Sequence, residues 1–184
     1  LYFGSNILPN GKLCLMGGEY TNHTHVPTFA NTGEIFDPLA GTAGTWSDNV
    51  APFPKSAFGD QSTILLPSGK ILGSYIDGPE TYLYDYTQNT WSPAGIKLRN
   101  ERGSETNWAL LPDGGVLSYD IHISNKFPNL PGFAQRYDST LSTWVDAGRV
   151  PPSARLSSTR VANELGAGVL LPNGKMWFIG ADPP

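Results

Sequence analysis

Short apolar runs alternate with tight polar turns along most of the chain. The clearest turn is Leu-Pro-x-Gly, which occurs at residues 8–11, 66–69, 111–114 and 171–174. In each copy Pro presets φ, the next residue is Ser, Asn or Asp, and Gly allows a positive φ. Apolar runs on both sides of such a turn are typical of β-hairpins. Each copy therefore predicts two antiparallel strands, one before the turn and one after it.

The turn belongs to a longer repeat. A variable loop follows its second strand, and a third strand then ends in an aromatic residue and Asp, at residues 36–37, 84–85 and 137–138. A Thr-Trp pair follows, with Trp seven to ten residues after the aromatic, at residues 45–46, 90–91 and 143–144. No window of 11 residues has a helical apolar period. Each unit is therefore predicted to contain four strands and no helix.

The second strands are apolar on both faces, which in an antiparallel sheet implies burial on both sides. Four-stranded sheets stacked around an axis, as in a β-propeller, meet that requirement. The order Gly17-Gly18, Phe36-Asp37-Pro38, Thr45-Trp46 resembles a kelch repeat, although the later units lack the double Gly. The sequence motifs Leu-Pro-x-Gly-Lys and Tyr-Asp-x-x-x-x-Thr-Trp resemble those of kelch-like propellers related to the central domain of galactose oxidase. The predicted fold is an all-β, kelch-like β-propeller of four-stranded antiparallel blades.

Four turns stand against three Thr-Trp pairs, so the last repeat is begun and not finished. The units run roughly over residues 1–50, 51–96, 97–149 and 150–184, which gives about three and a half blades of one partial domain. Kelch-type propellers close with about six or seven blades. We expect either a fragment of a longer chain or a ring completed by a second copy or another partner. Residues 1–5 read as the end of a strand or as the remnant of a tag, and we favour the strand.

The composition of the chain disfavours some classes of binding partner. Charged residues make up 15% of the chain and the net charge is −4, without clustered Lys and Arg. This disfavours nucleic acid and anionic membranes as partners. No apolar run reaches membrane-spanning length. The single Cys14 excludes a disulfide framework and a Cys-based zinc site. The compartment stays open, with an extracellular one slightly favoured.

The long loops of the predicted propeller share one face, and scaffold-mounted loops commonly carry function. An acidic residue stands near the start of each later first strand: Asp60 and Glu105 lie six residues before the turn leucine, and Glu164 lies seven before it. Equivalent carboxylates would meet at the mouth of the central channel. They could bind a divalent cation such as Ca²⁺ or form an acid–base pair. In the alternative interpretation they cap loop amides or pair with Arg102 or Arg160.

The three histidines, His23, His25 and His122, fall in loops between second and third strands. A His-x-His pair on an extended segment suits a transition metal, although unrelated exposed histidines are the simpler interpretation. No cofactor is predicted beyond a divalent cation. The resemblance to galactose oxidase would imply a copper-radical site with a Tyr joined to a Cys. Cys14 lies in a predicted buried strand, so that part of the resemblance does not carry over.

Aromatic residues divide into two groups. Those that recur with the repeat are predicted to form the core between sheets: Phe36, Tyr84, Tyr137, Trp46, Trp91 and Trp144. Aromatics outside the repeat are better candidates to contact a ligand, and these are Phe53, Phe58, Trp108 and Phe127. The loop that carries Lys97, Arg99 and Arg102 also contains Glu101 and Glu105, and we predict that it is solvated.

The interpretation we favour is a binding module that uses its long-loop face to hold a protein or a glycan. The alternative is a carbohydrate-active or oxidase-type enzyme whose site, at the channel mouth, involves Asp60, Glu105 and Glu164. A scaffold without a ligand of its own is a third reading. The sequence contains no phosphate-binding Gly loop and no Gly-x-Ser-x-Gly elbow.

Overall fold

The chain folds into a series of small antiparallel sheets. The computed structural model describes residues 2–21, 26–121, 132–150 and 165–180. The first sheet contains β1 (Gly4–Ile7), β2 (Leu13–Met16), β3 (Gly33–Asp37) and β4 (Thr45–Val50). The second contains β5 (Thr63–Leu65), β6 (Ile71–Ser74), β7 (Glu80–Asp85) and β8 (Thr90–Ile96). The third contains β9 (Trp108–Leu110), β10 (Val116–Asp120), β11 (Gly132–Asp138) and β12 (Thr143–Val150), and β13 (Leu165–Leu170) pairs with β14 (Met176–Gly180).

Within each sheet, every strand pairs with the next one along the chain, so every sheet is a simple meander. A short 3-10 turn, Leu98–Asn100, lies between the second and third sheets in sequence. Within the described residues, no helix is long and apolar enough to cross a membrane.

The Leu-Pro-x-Gly turn has the same geometry in all four copies. In the first, Leu8 N donates to Lys12 O at 2.8 Å and Gly11 N donates to Leu8 O at 2.9 Å. The equivalent pairs of bonds close the other three turns. The turn glycine has φ between +77° and +82°, a region that favours glycine. The hairpins expected from this sequence are therefore confirmed.

The aromatic-Asp pair ends the third strand with a side-chain cap. The Asp Oδ1 accepts a hydrogen bond from the amide two residues later, at 3.0 Å in Leu39, 3.0 Å in Thr87 and 2.9 Å in Thr140. The lysine of the Leu-Pro-x-Gly-Lys turn also reaches this Asp. Lys12 lies 2.8 Å from Asp37, and the equivalent pair in the second sheet is separated by 3.4 Å. In the first two sheets, the turn and the aromatic-Asp pair thus contact each other through this ion pair.

Successive sheets contact each other through their first strands, which lie nearest the common axis. β1 contacts β5, β5 contacts β9, and β9 contacts β13, while β8 and β12 meet farther from this axis. The result is a partial β-propeller with three four-stranded blades and two strands of a fourth. This confirms the predicted fold class, with two strands of the last blade among the described residues.

Large side chains fill the space between sheets. β6 is buried at every position, as expected for a second strand. Tyr84 and Tyr137 are fully buried and Trp144 is 3% exposed. Trp46 departs from the core prediction, because 55% of it is exposed. Trp144 packs against the sheet before its own, and no described sheet precedes the first one.

The charged loop after β8 is not solvated as predicted. Lys97 and Glu101 are almost completely buried, with 2% and 1% exposed. Lys97 Nζ donates to Arg102 O at 2.9 Å, and Leu98 N donates to Gln135 Oε1 at 2.7 Å. Gln135 Nε2 in turn donates to Glu101 Oε2. The prediction was wrong because this loop folds onto the third sheet, whose Gln135 supplies polar partners for it.

Candidate functional site

A cleft lies where the first strands of the three complete blades begin. Its volume is about 300 Å³, and it is lined by Tyr2, Phe3, Glu19, Tyr20, Asp60, Glu105, Thr106 and Asn107. A second cavity of about 190 Å³ shares Phe3, Asp60, Thr106 and Asn107 with it and adds Gln61. The two cavities therefore form one continuous polar site, which we call the axial cleft. Its walls come from the long loops and from the starts of β1, β5 and β9.

The repeat explains why these residues meet. The position six residues before the turn leucine is Tyr2 in the first blade, Asp60 in the second and Glu105 in the third. All three line the axial cleft. The structure thus brings together two of the carboxylates singled out from the sequence. Glu164, the third, lies outside the described residues.

Hydrogen bonds between neighbouring blades hold the floor of the axial cleft. Asn6 Nδ2 of the first blade donates to Thr63 Oγ1 of the second at 2.9 Å. Ser62 Oγ of the second donates to the carbonyl oxygen of Thr106, which leads into the third. Thr106 Oγ1 donates to Gly103 O at 2.9 Å. Because the bonds of Asn6 and Ser62 join neighbouring blades beside their first strands, they fix the spacing of the residues that line the cleft.

Three carboxylate side chains line the axial cleft, those of Glu19, Asp60 and Glu105. The charge of Glu19 is the main cause that raises the pKa of Tyr20, and partial burial and the charges of Asp60 and Glu105 add to the shift. Tyr20 and Glu105 also have left-handed backbones, with φ of +59° and +54°. Such conformations are uncommon for residues other than Gly and often occur at functional sites.

One buried donor in the axial cleft has no partner within the part of the chain that the structure describes. Gln61 is 3% exposed, and its Oε1 accepts a hydrogen bond from Gly59 N at 2.6 Å. That bond fixes the orientation of the amide, so the other atom is the Nε2 donor. Nε2 has no hydrogen-bond partner among the described residues. A buried polar group of this kind is unfavourable unless a ligand or water satisfies it.

Of the four aromatic residues proposed as ligand contacts, Phe127 lies outside the described residues and Phe53 is buried with 3% exposed. Phe58 and Trp108 also lie away from the axial cleft. Phe58 is 1% exposed and stacks on Phe53, with ring centroids 4.3 Å apart. Trp108 is 4% exposed and packs against Trp144 at 5.5 Å. Both belong to the hydrophobic core and do not line the axial cleft, because each closes the space between two blades. The proposed site therefore does not include them.

The aromatic residues of the axial cleft are Tyr2, Phe3 and Tyr20. Sequence reasoning did not nominate them. The register of the turn leucine could have identified Tyr2, since it occupies the same position as Asp60 and Glu105.

The predicted metal ligands receive no support from the described part of the chain. His23, His25 and His122 lie outside it. Among residues 2–21, 26–121, 132–150 and 165–180, no group of three or more His, Cys, Asp and Glu side chains could hold a metal ion. Cys14 is fully buried in β2, and this burial raises its pKa to about 12. A thiolate is therefore not offered to the axial cleft.

Comparison with known proteins identifies the fold and not a family. No family model and no curated protein matches the chain. One similar structure is a catalytically inactive virginiamycin B lyase from Staphylococcus aureus with quinupristin, at 11% identity and a TM-score of 0.56, covering 96% of this chain and 47% of the other. Another is a fungal alcohol oxidase of the AA5 family in complex with copper, at 14% identity and a TM-score of 0.60, covering 89% and 34%.

The chain thus spans less than half the length of either similar structure. Both comparisons support a β-propeller fold. The assignment to kelch repeats stays a prediction. At these identities the likeness concerns the fold alone, because unrelated activities are carried by the same propeller scaffold.

Proposed function

We propose that the chain is part of a glycan-binding propeller, and that the axial cleft holds hydroxyl groups of a neutral sugar. The observation that carries the proposal is the mixture of hydrogen-bonding groups in the cleft. Asp60 and Glu105 offer carboxylate acceptors, and buried Gln61 offers a donor that has no partner among the described residues. A sugar hydroxyl donates one hydrogen bond and accepts others, so a polyol can satisfy both kinds of group at once.

A bare cation fits these groups less well. A metal ion or an ammonium group would be attracted by the carboxylates, but neither can accept the hydrogen bond of Gln61 Nε2. An acceptor oxygen beside that amide is needed. Neutral sugars supply it without adding a further negative charge to a cleft that already contains Glu19, Asp60 and Glu105.

The exposed rings at the rim suit the same class of ligand. Tyr2 and Phe3 are 65% and 52% exposed, and Tyr2 lies 6.1 Å from Tyr20 between ring centroids. Ligand sites commonly combine aromatic surface with a few placed polar groups. A pyranose ring has apolar C–H faces and a polar edge, so it can cover a ring while its hydroxyls reach the carboxylates. The cleft, at about 300 Å³, accommodates a sugar unit more readily than a folded protein surface.

The test is direct binding of neutral oligosaccharides. A panel of α- and β-linked gluco-, galacto- and manno-oligosaccharides is screened against the purified protein, and positive sugars are titrated by calorimetry. Asp60→Asn and Glu105→Gln each replace a charged acceptor at constant shape. Gln61→Glu keeps the acceptor for Gly59 N and removes the donor. We expect each to weaken the affinity roughly 10- to 100-fold, the range for hydrogen bonds involving a charged group.

The matched control is Glu34→Gln, which removes an exposed carboxylate of β3 that does not line the cleft. It should leave the affinity unchanged. Failure of every sugar in the panel to bind, or equal affinity of the three cleft variants and the control, would overturn the proposal. Tight binding of Ca²⁺ that competes with the sugar at the same residues would also overturn it.

A further inference from the structure

An apolar groove separates the third blade from the two strands of the fourth. Its volume is about 410 Å³, and its lining includes Leu117, Tyr119, Ala134, Val150, Met176 and Phe178. Unlike the axial cleft, it is lined mostly by apolar side chains. Trp177, beside it on β14, is 52% exposed. A groove of this composition is unfavourable in water and is typical of a surface that another element covers.

The equivalent space between the second and third blades is filled by Trp144. This side chain belongs to the fourth strand of the third blade and is 3% exposed. Its Nε1 donates to Thr81 Oγ1 of the second blade at 3.1 Å. Leu72 of the second blade is buried in the same hydrophobic cluster. The Trp of the third blade thus packs against the blade before its own, and Trp91 of the second blade likewise reaches back to Ala51.

The groove lies at the same place one blade later. The pairing registers of β6–β7 and β10–β11 are equivalent, so Leu117 corresponds to Leu72 and Ala134 to Thr81. Both Leu117 and Ala134 line the groove. The Trp that would enter it by this rule belongs to the fourth strand of the fourth blade, and the chain contains no fourth Thr-Trp pair.

One edge of β14 has backbone groups that a further strand could pair with. In the three complete blades the second strand pairs on both sides, with the first and the third strand. Among the described strands, β14 pairs with β13 alone. An open strand edge is a template for a further strand, and adding one satisfies its backbone groups.

We propose that the groove and the open edge of β14 receive the outer β-hairpin of a further propeller repeat. The hairpin carries the sequence aromatic-Asp, a short turn and Thr-Trp. Its first strand pairs antiparallel with β14, and its Trp enters the groove beside Ala134 and Leu117. A second copy of this chain is a poorer occupant, because its outer hairpins β3–β4, β7–β8 and β11–β12 are already paired with their own second strands. The larger size of the similar propellers is consistent with a supply of further repeats.

The hairpin can be tested with the chain's own sequence. A labelled synthetic peptide of residues 80–96, which forms β7 and β8 here, is titrated into the purified protein and followed by fluorescence anisotropy. Isolated hairpins are marginally stable in water, so ordering lowers the affinity and we expect saturable binding in the micromolar-to-millimolar range. The same peptide with Trp91→Ala should bind at least about tenfold more weakly, since the groove is selective for the indole. Hydrogen exchange should show new protection at the amides of β14.

Two variants of the protein locate the site. Ala134→Leu narrows the groove and should reduce peptide binding at least about tenfold. Ala147→Leu makes the same change at an exposed position of β12 that does not line the groove, and it should bind as the unmodified protein does. Circular dichroism and urea unfolding establish that each variant is folded, and competition by unlabelled peptide provides a second measurement on the unmodified protein.

Three results would overturn the inference. The first is no saturable binding of the peptide to folded protein at millimolar concentration. The second is equal binding by the Ala134→Leu and Ala147→Leu proteins. The third is a dimer, seen by analytical ultracentrifugation, that Ala134→Leu dissociates, because the occupant would then be a second copy.

Discussion

The Thr-Trp element of the repeat has opposite surroundings at the outer face of the first blade and at the junction of the second and third. Trp144, in the third blade, is 3% exposed and donates to Thr81 of the second. Trp46 occupies the same place in the first blade but is 55% exposed, with Phe36 of its own sheet 4.9 Å away between ring centroids. The residue and its strand register are equivalent, so the preceding blade decides whether this Trp belongs to the core.

This difference shows that the stack is directional. Trp91, in the second blade, also reaches backward, and its Nε1 donates to Ala51 O just after the first blade at 2.9 Å. The second and third blades therefore each contribute a Trp to the blade before them. The two ends of the chain differ accordingly: the first blade presents a Trp, and the last presents a groove.

The largest expected effect is that of truncating the buried Trp. Trp144→Ala should lower the free energy of unfolding by about 3–5 kcal/mol, because it leaves a cavity between two blades and removes the hydrogen bond that Thr81 Oγ1 accepts. Urea unfolding followed by circular dichroism measures the change. A loss below about 1 kcal/mol would mean that the contact between these blades contributes little to stability, contrary to the burial of Trp144.

A second expected effect concerns pH at the same junction. Burial raises the pKa of Glu101 from 4.5 to about 8, although the charge of Lys97 opposes the shift and that of Asp120 adds to it. The folded state then holds the proton more tightly than the unfolded state. Stability from this group is complete below pH 4.5 and is lost as the pH rises to about 8.

Glu101→Gln should remove this loss, because Gln is uncharged throughout and its Oε1 can still accept from Gln135. We expect the variant to gain about 1–3 kcal/mol relative to the unmodified protein between acidic and mildly alkaline pH. Urea unfolding of both proteins across that range measures the change, which includes the loss of the Glu101 charge that partly offsets the lowering of the Lys97 pKa by burial. Parallel stability curves for the two proteins would contradict the assignment.

These two junction residues mark what could and could not be predicted from sequence. The hairpins, the blade order and the unfinished fourth blade were predictable, because Leu-Pro-x-Gly and Thr-Trp act through local turn geometry and repeat at fixed positions. The burial of Lys97 and Glu101 was not, since it depends on Gln135, 34 residues beyond Glu101 in the chain. Charged residues in a loop are ordinarily exposed to solvent, so the sequence predicts exposure here.

The candidate site shows the same division. Asp60 and Glu105 could be brought together from their register relative to the turn leucine, a property of the repeat. Gln61 could not be distinguished, because its role rests on a hydrogen bond from Gly59 that fixes the amide. Aromaticity outside the repeat was a poor guide: Phe58 and Trp108 fill spaces between blades, whereas Phe3 is at the cleft.

A smaller effect is expected at the turn that ends the third strand of the second blade. Asp85 Oδ1 accepts hydrogen bonds from the Thr87 amide and hydroxyl and from Gln88 N, at 3.0, 2.7 and 3.3 Å. Asp85→Ala should therefore lower the free energy of unfolding by about 1 kcal/mol. Lys70→Ala removes only an exposed ion pair with Asp85 and should cost less than about 0.5 kcal/mol. Equal losses in urea unfolding would assign the stabilisation to the ion pair instead.

The smallest effect is expected from the exposed Trp. Trp46→Ala should change the free energy of unfolding by less than about 1 kcal/mol, because 55% of the side chain is already exposed and the ring contact it loses, with Phe36, lies within its own sheet. Urea unfolding alongside Trp144→Ala gives the comparison within one protein. A loss as large as that of Trp144→Ala, growing with protein concentration, would contradict the expected exposure. It would mean that a second molecule covers the first blade and supplies there the neighbour that the second blade supplies to Trp144.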